Sequence, residues 1–353
     1  MFGKFMIRFY VMNLRKEMNN MSYIYVTDNG SIISTKDNQI VISKGEEVLS
    51  KVPIDTVDNI NIIGRSHMTT PCAIECLNRG IVVSYHSMGG NYYGKLENMN
   101  RVNVNLQRKQ AMLYYESFAL DLAKRIVGAK LRNQETILRR YGRNSGTDVT
   151  REIVMIANCY KGLKNASDVS SLMGYEGVGA RNYFAGLSKL VVDDFKFGVR
   201  SKRPPKDEFN AMLSMGYTLI YNEIYGKLHN KGLNPYFGFL HSDKANHATL
   251  ASDMMEEWRP IIVDSLVMSM INRHEILKTD FLRNADKPGV YFTKEGLKKF
   301  IAKLERKLET EVKYFEGWDG AVSFRKGLDI QINMLSKAIF HEDASLYNPV
   351  IIR

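Results

Sequence analysis

The hydrophobic pattern changes period once along this chain, near residue 100. From Ser22 to about Asn98 the apolar residues come in short runs separated by turn residues, which is the period of strands. The clearest runs are Tyr23-Ile24-Tyr25-Val26, Ile40-Val41-Ile42, Ile60-Asn61-Ile62-Ile63 and Ile81-Val82-Val83-Ser84-Tyr85. Asp28-Asn29-Gly30 supplies a tight turn, since Asn-Gly tolerates positive φ at both central positions. One helix interrupts the strands, with Thr70 as N-cap, Pro71 at its first position and a stop near Gly80. This half predicts a small antiparallel β domain.

After about Val104 apolar residues recur three or four apart. The segments Gln107 to Lys130, Asn133 to Tyr141, Arg151 to Leu163, Ala180 to Asp194, Phe209 to Lys231, His247 to Asn272, Thr293 to Val312 and Phe324 to Phe340 all carry that spacing. The expected class is therefore α+β, a small N-terminal antiparallel β domain followed by a larger all-helical C-terminal domain. The Asn-rich stretch around residues 97–105 suits a linker, which divides the chain into residues 21–100 and 101–353 behind an extension over 1–20. Arg200-Ser201-Lys202-Arg203-Pro204-Pro205-Lys206 cannot be regular helix and predicts a basic loop.

Composition sharpens this picture in two places. With 353 residues, 44% apolar, the chain can bury at least one core. Its three cysteines, Cys72, Cys76 and Cys159, are too few for a disulfide framework, which points to a reducing cytoplasm, and no apolar run is long enough for a membrane span. The net charge of +11 is unevenly spread. Residues 101–200 hold 17 Lys and Arg against nine Asp and Glu, whereas residues 1–100 hold ten against nine. A segment this basic fits a polyanion such as DNA and fits equally a solvated helix surface.

Three places carry candidate chemistry. Glu176 lies in Gly174-Tyr175-Glu176-Gly177-Val178-Gly179, a glycine-rich turn expected to open a helix. His241 follows the aromatic, turn-rich stretch Asn234-Pro235-Tyr236-Phe237-Gly238-Phe239-Leu240. Asp253 and Glu256 stand three apart in Asp253-Met254-Met255-Glu256-Glu257-Trp258-Arg259-Pro260, hence on one helix face. Taken singly, each has an ordinary reading: a solvated glutamate, a packed histidine, a polar face. Together, two carboxylates and an imidazole make an oxygen and nitrogen donor set suited to Mg²⁺ or Mn²⁺. Cys72 and Cys76, with His67 near, offer only three zinc donors on an apolar helix and fit buried thiols better.

The Glu176 turn with Ala180 and Tyr183-Phe184, the stretch Asn210 to Tyr217, the Gly238 to His241 turn and the Asp253 to Pro260 helix occur in the order found in the CRISPR adaptation integrases, the Cas1 family, which this chain resembles from Met21 onwards. Residues 1–20 match nothing expected of that family. The resemblance implies that Glu176, His241 and Glu256 are metal ligands and catalytic residues, with Asp253 and Arg259 supporting them. Helix phase alone cannot separate Glu256 from Glu257; the resemblance sets the ligand three residues before the arginine. It further implies a metal-dependent DNA endonuclease and integrase, holding Mg²⁺ or Mn²⁺. That activity joins 3′ hydroxyls of short duplex fragments to a CRISPR repeat by transesterification. The implied partners are double-stranded DNA, a second copy of the chain joined through the β-rich domain, and the small subunit Cas2.

Arg181, Arg139, Arg140, Arg143, Arg200, Lys202 and Arg203 are candidates for following a DNA backbone, with Tyr217 for stacking on a base. Two other classes share these features, a non-catalytic DNA scaffold and a hydrolase of small phosphate esters. Metal-dependent strand transfer separates the integrase from both, and cleavage of small phosphate esters separates the scaffold from the hydrolase.

Overall fold

Strand and helix patterns sort into two compact units, Met1–Asn100 and Arg101–Arg353. The structure, a computed structural model, describes residues 22–89, 92–96, 98, 102–202, 204–284, 287–313 and 320–353. The expected extension over 1–20 and the DNA-binding candidate Arg203 lie outside the described residues.

Among its described residues the first unit contains two four-stranded sheets. In one, β1 (Ser22–Val26), β5 (Val57–Ile63), β7 (Val82–His86) and β8 (Tyr92–Leu96) lie in that order; in the other, β2 (Ile32–Lys36), β3 (Gln39–Lys44), β4 (Glu47–Pro53) and β6 (His67–Met68) take the order β4-β3-β2-β6. The antiparallel expectation holds for the β2-β3-β4 meander, but β1, β5 and β7 run parallel. The connections explain this. Parallel neighbours require a crossover, and α1 (Thr70–Arg79) supplies one between β5 and β7 while the meander supplies another between β1 and β5.

The two-residue positive-φ turn falls at Asp37-Asn38, between β2 and β3. In the Asn29-Gly30 turn only Gly30 has positive φ, and Asn29 Oδ1 instead accepts from the Arg65 amide. The helix cap sits one residue earlier than expected, on Thr69, whose hydroxyl accepts from the Cys72 amide. Ile24, Ile33, Ile40, Val52, Ile60 and Val83 form the core with the thiols of Cys72 and Cys76.

The second unit is mostly helical: α2 (Val104–Leu113), α3 (Ser117–Ser145), α4 (Thr150–Gly162), α5 (Val169–Leu190), α6 (Glu208–Asn230), α7 (Thr249–Met255), α8 (Ser265–Asn272), α9 (Lys294–Glu309) and α10 (Phe324–His341). Among the described residues two short antiparallel strand pairs interrupt them, β9 (Phe281–Asn284) with β10 (Lys287–Phe292) and β11 (Glu311–Val312) with β12 (Val322–Ser323). The expected break near residue 131 is absent, since α3 runs unbroken through it. The expected single helix over 247–272 is divided by a π turn at Arg259–Asp264, where Pro260 has no amide hydrogen for the α-helical ladder. No helix among the described residues is long and apolar enough to cross a membrane.

α3 and α5 approach closely because two glycines face two leucines. A Cβ on Gly179 would fall 2.3 Å from Leu131 Cδ2, and one on Gly186 would fall 2.9 Å from Leu138 Cδ1. The glycines around Glu176 therefore lie inside a helix rather than in an opening turn. The helix opens earlier, at Asp168, whose carboxylate caps the Ser171 amide at 2.7 Å.

Candidate metal and phosphodiester site

Four elements of the helical unit bring ionisable side chains together. α3 contributes Lys130, α5 contributes Glu176 from mid-helix, the turn over 238–241 contributes His241, and α7 with the residues just beyond it contributes Asp253, Glu256 and Arg259. Lys130 Nζ donates both to Glu176 Oε1 and to Glu256 Oε2. His241 Nε2 lies 3.7 Å from Glu256 Oε1, and Arg259 Nε lies 3.1 Å from the same oxygen.

Asp253, fully buried, organises the turn. Its Oδ2 accepts from the amides of Phe239 and Leu240 at 2.7 and 3.0 Å, and its Oδ1 accepts from the amide of His241 at 3.1 Å and lies 2.7 Å from His241 Nδ1. A side chain at Gly238 would collide with it, since a Cβ there would stand 2.8 Å from Asp253 Oδ2. Thr249 completes the frame, accepting from the Gly238 amide at 3.0 Å and donating to the Tyr236 carbonyl at 2.6 Å. With Nδ1–H committed to Asp253, the Nε2 lone pair of a neutral His241 is left for a ligand on the Glu256 side.

The electrostatics follow from burial opposed by partners. Burial raises the Glu256 pKa, but Arg259, Lys130 and His241 overcome it and hold the carboxylate down at about 2. Burial opposes the Lys130 charge, yet Glu256 and Glu176 raise its pKa above the ordinary lysine value. For His241 burial again works against the charged form, and Asp253 and Glu256 outweigh it and raise the pKa.

Behind Arg259 lies a second layer. The guanidinium stands 4.6 Å over the Tyr217 ring, with Arg200 5.4 Å from the same ring. Tyr217 and Tyr183 both donate to Asp264, whose pKa burial pushes up to about 6. Tyr217 was expected to stack on a base. It is only 7% exposed, and packing under Arg259 and Arg200 leaves it among protein groups instead. Arg200 likewise turns inward, to Asn210 Oδ1 at 2.9 Å and Ser214 Oγ at 3.2 Å.

Three of the remaining basic candidates stand away from the cluster. Arg139, Arg140 and Arg143 lie nine to thirteen residues beyond Lys130, roughly 14–20 Å along α3. Arg139 pairs with Glu135, Arg143 reaches the Arg139 carbonyl, and Arg140 reaches the Arg353 carbonyl. Arg181 is exposed on α5, and Lys202 is exposed in the basic loop, where its packing and the charges of Arg259 and Arg200 lower its pKa.

Two features had no place in the sequence reading. The first is Lys130, whose signal was a lone cation in the apolar run Ile126 to Leu131. The second is the surround of Glu257. Its carboxyl accepts from Tyr347 Oη at 2.7 Å, the Val350 amide at 2.7 Å and Gln331 Nε2 at 3.2 Å, and burial pushes its pKa up to about 8. Asn133 ties the same region together, donating to the carbonyls of Glu257 and Val350 and accepting from the Ile352 amide. Glu256 and Glu257 thus point to different partners.

Among the described residues, no group of three or more His, Cys, Asp and Glu side chains stands in metal-holding geometry. The donor chemistry nevertheless fits a cation. A positive group already bridges Glu176 and Glu256, and the donors around it are carboxylate oxygens and one imidazole nitrogen.

Comparison with known proteins agrees with this arrangement of elements. The family model described as CRISPR associated protein Cas1 matches residues 24–306. A relative named CRISPR-associated endonuclease Cas1, from Mycobacterium tuberculosis H37Rv, is 34% identical over 320 residues, which are 90% of this chain and 94% of its own. Two solved structures share the fold. A Cas6-RT-Cas1–Cas2 complex aligns with a TM-score of 0.83 at 24% identity, covering 95% of this chain and 36% of that one. A casposase bound to integration product aligns at 0.80 and 21% identity, covering 92% of this chain and 93% of that one. With the family model spanning most of its length, and a relative 34% identical over nearly all of it, the chain belongs to the CRISPR-associated Cas1 family.

Proposed function

We propose that this chain carries out DNA phosphodiester transfer at the cluster around Lys130, with Glu176, His241 and Glu256 holding a divalent cation and Asp253 fixing His241. Membership of the family makes the chain a CRISPR adaptation endonuclease and integrase. In that reaction a 3′ hydroxyl of a short duplex attacks a phosphodiester at a repeat boundary. One P–O bond forms to the attacking oxygen, one breaks to the departing 3′ oxygen, and the hydroxyl proton passes to the leaving alkoxide or to water. Bond number is conserved, so no nucleotide is hydrolysed.

The observation that carries the ligand assignment is the shared contact of Lys130 with Glu176 and Glu256, with His241 Nε2 3.7 Å from Glu256. When bound there, Mg²⁺ or Mn²⁺ polarises the phosphodiester and stabilises the departing oxygen. The protein's own part is positioning. Asp253 sets the tautomer and direction of His241, and Arg259, fixed between Glu256 and the Tyr217 ring, presents a guanidinium to phosphate oxygens. Arg139, Arg140, Arg143, Arg181 and Lys202 continue the positive surface along which DNA lies.

Two fragment ends must be joined, which calls for two sites and hence a homodimer. The β-rich unit suits that contact, since its edge strand β8 exposes Tyr92 and Tyr93. The Cas2 named with a Cas1 in one structural neighbour supplies the partner class that bridges such dimers.

The test compares strand transfer and branched-DNA cleavage, with Mg²⁺ or Mn²⁺, in the parent and in Glu176→Ala, His241→Ala and Glu256→Ala. Loss of reaction and of Mn²⁺ binding, with DNA binding retained, is expected of all three. Full activity in any one removes that residue from the ligand set.

A further inference from the structure

Lys130 is the most deeply placed cation of the cluster, only 6% exposed, and both partners of its ammonium are proposed ligands. We infer that Lys130 is a displaceable counter-charge: it holds Glu176 and Glu256 together before a divalent ion binds, and turns to the scissile phosphodiester once they are taken. This rests on the ligand assignment above and adds a residue with two successive roles.

Three observations support it. First, an ammonium between two carboxylates occupies ground that an ion using the same oxygens would need, so Lys130 and such an ion compete. Second, the charges of the cluster are poised for exchange. Glu176 and Glu256 share the single ammonium of Lys130, leaving one negative charge over those three groups. A divalent ion turns that into one positive charge, which a singly charged phosphodiester cancels. Third, the two cations differ in freedom. Arg259 is pinned between Glu256 and the Tyr217 ring, whereas Lys130 has a four-carbon stem and a point charge with three donors, able to change partners by rotation.

Lys130 thus differs from the proposed ligands in the sign of its effect on metal affinity. Mn²⁺ binding to the full-length protein without DNA, followed by calorimetry and by electron paramagnetic resonance, should tighten about tenfold in Lys130→Met, because a competing charge is gone. Strand transfer at saturating Mn²⁺ should fall about a hundredfold, because a donor to the phosphate is gone. A purely structural lysine would weaken both.

Unchanged or weaker Mn²⁺ affinity in Lys130→Met, or undiminished transfer at saturating Mn²⁺, overturns the inference. If that variant does not fold, the parent itself decides. Acylation of Lys130 by acetic anhydride, read by mass spectrometry, should rise when Mn²⁺ is added, and a rate that Mn²⁺ leaves unchanged or lowers overturns it. If instead Glu176→Ala and Glu256→Ala bind Mn²⁺ as tightly as the parent, the ligand assignment fails, whatever Lys130 does.

Discussion

Glu256 and Glu257 are adjacent, both buried, and treated in opposite ways by the protein around them. Glu256 faces Lys130, Arg259 and His241, and their positive charge keeps it ionised, at about 2. Glu257 faces Tyr347, Gln331 and the Val350 amide, neutral donors that do not offset its burial, and it rises to about 8. The same carboxylic acid therefore serves as an anion at one position just beyond α7 and as a neutral hydrogen-bonding group at the next. Hydrogen bonds alone satisfy a buried carboxyl; only compensating charge makes it useful to a cation.

The largest expected effect separates these two neighbours directly. Glu256→Gln should lower strand transfer by about 10³-fold or more, whereas Glu257→Gln, close in shape to a protonated carboxyl, should stay within about threefold of the parent. Measuring both rates at saturating Mn²⁺ gives the answer, and equal losses would erase the contrast.

Asp253 comes next, since its carboxyl oxygens hold the turn through backbone amides. Asp253→Ala strands three amide donors, two of them buried, and should cost about 3 kcal/mol in urea unfolding, with transfer falling as His241 loses its partner. A variant as stable as the parent would show that the turn is held by something else.

Lys307 extends the comparison to a half-buried lysine. Two carboxylates raise Lys130, but Lys307 lies 4.4 Å over the Phe324 ring, and burial together with the Arg140 charge lowers it to about 8. Because its folded pKa lies below the usual 10.5, protonated Lys307 costs stability at pH 7, and that cost fades as pH rises through 8 towards 10.5. Lys307→Met should therefore be about 2 kcal/mol more stable than the parent at pH 7 and level with it near pH 10.5, by urea unfolding at both values.

The smallest effect concerns spacing. Gly179→Ala forces Leu131 to move and should cost about 1 kcal/mol, with transfer reduced because α3 and α5 carry Lys130 and Glu176. Unaltered stability and transfer would mean that the helices part without disturbing the pair.

The sequence made the two-unit division legible, because strand and helix periods differ and the change is abrupt. Glu176, His241, Asp253 and Glu256 were legible as an ordered set of motifs, although none was distinctive alone. Lys130 was not, since a single lysine in an apolar run looks the same whether its head reaches water or a carboxylate. Tyr217 misled for a related reason. An aromatic on a helix carries no mark of whether its ring meets a base or a neighbouring guanidinium. The partners of Glu257 lie 74 to 93 residues further on, a separation at which local pattern says nothing. The parallel strands depended on how α1 crosses over, which strand alternation does not encode.

The segment over 347–352 fastens elements that were made long before it. Asn133, one turn past Lys130, and Glu257, beside Glu256, are both clasped by its backbone. During synthesis α3 and α7 leave the ribosome well ahead of this clasp, so Val350 and Ile352 add their hydrogen bonds to a register that Asn133 already makes with the Glu257 carbonyl. Strain on residues 347–352 would therefore reach Lys130 and Glu256 through their neighbours Asn133 and Glu257.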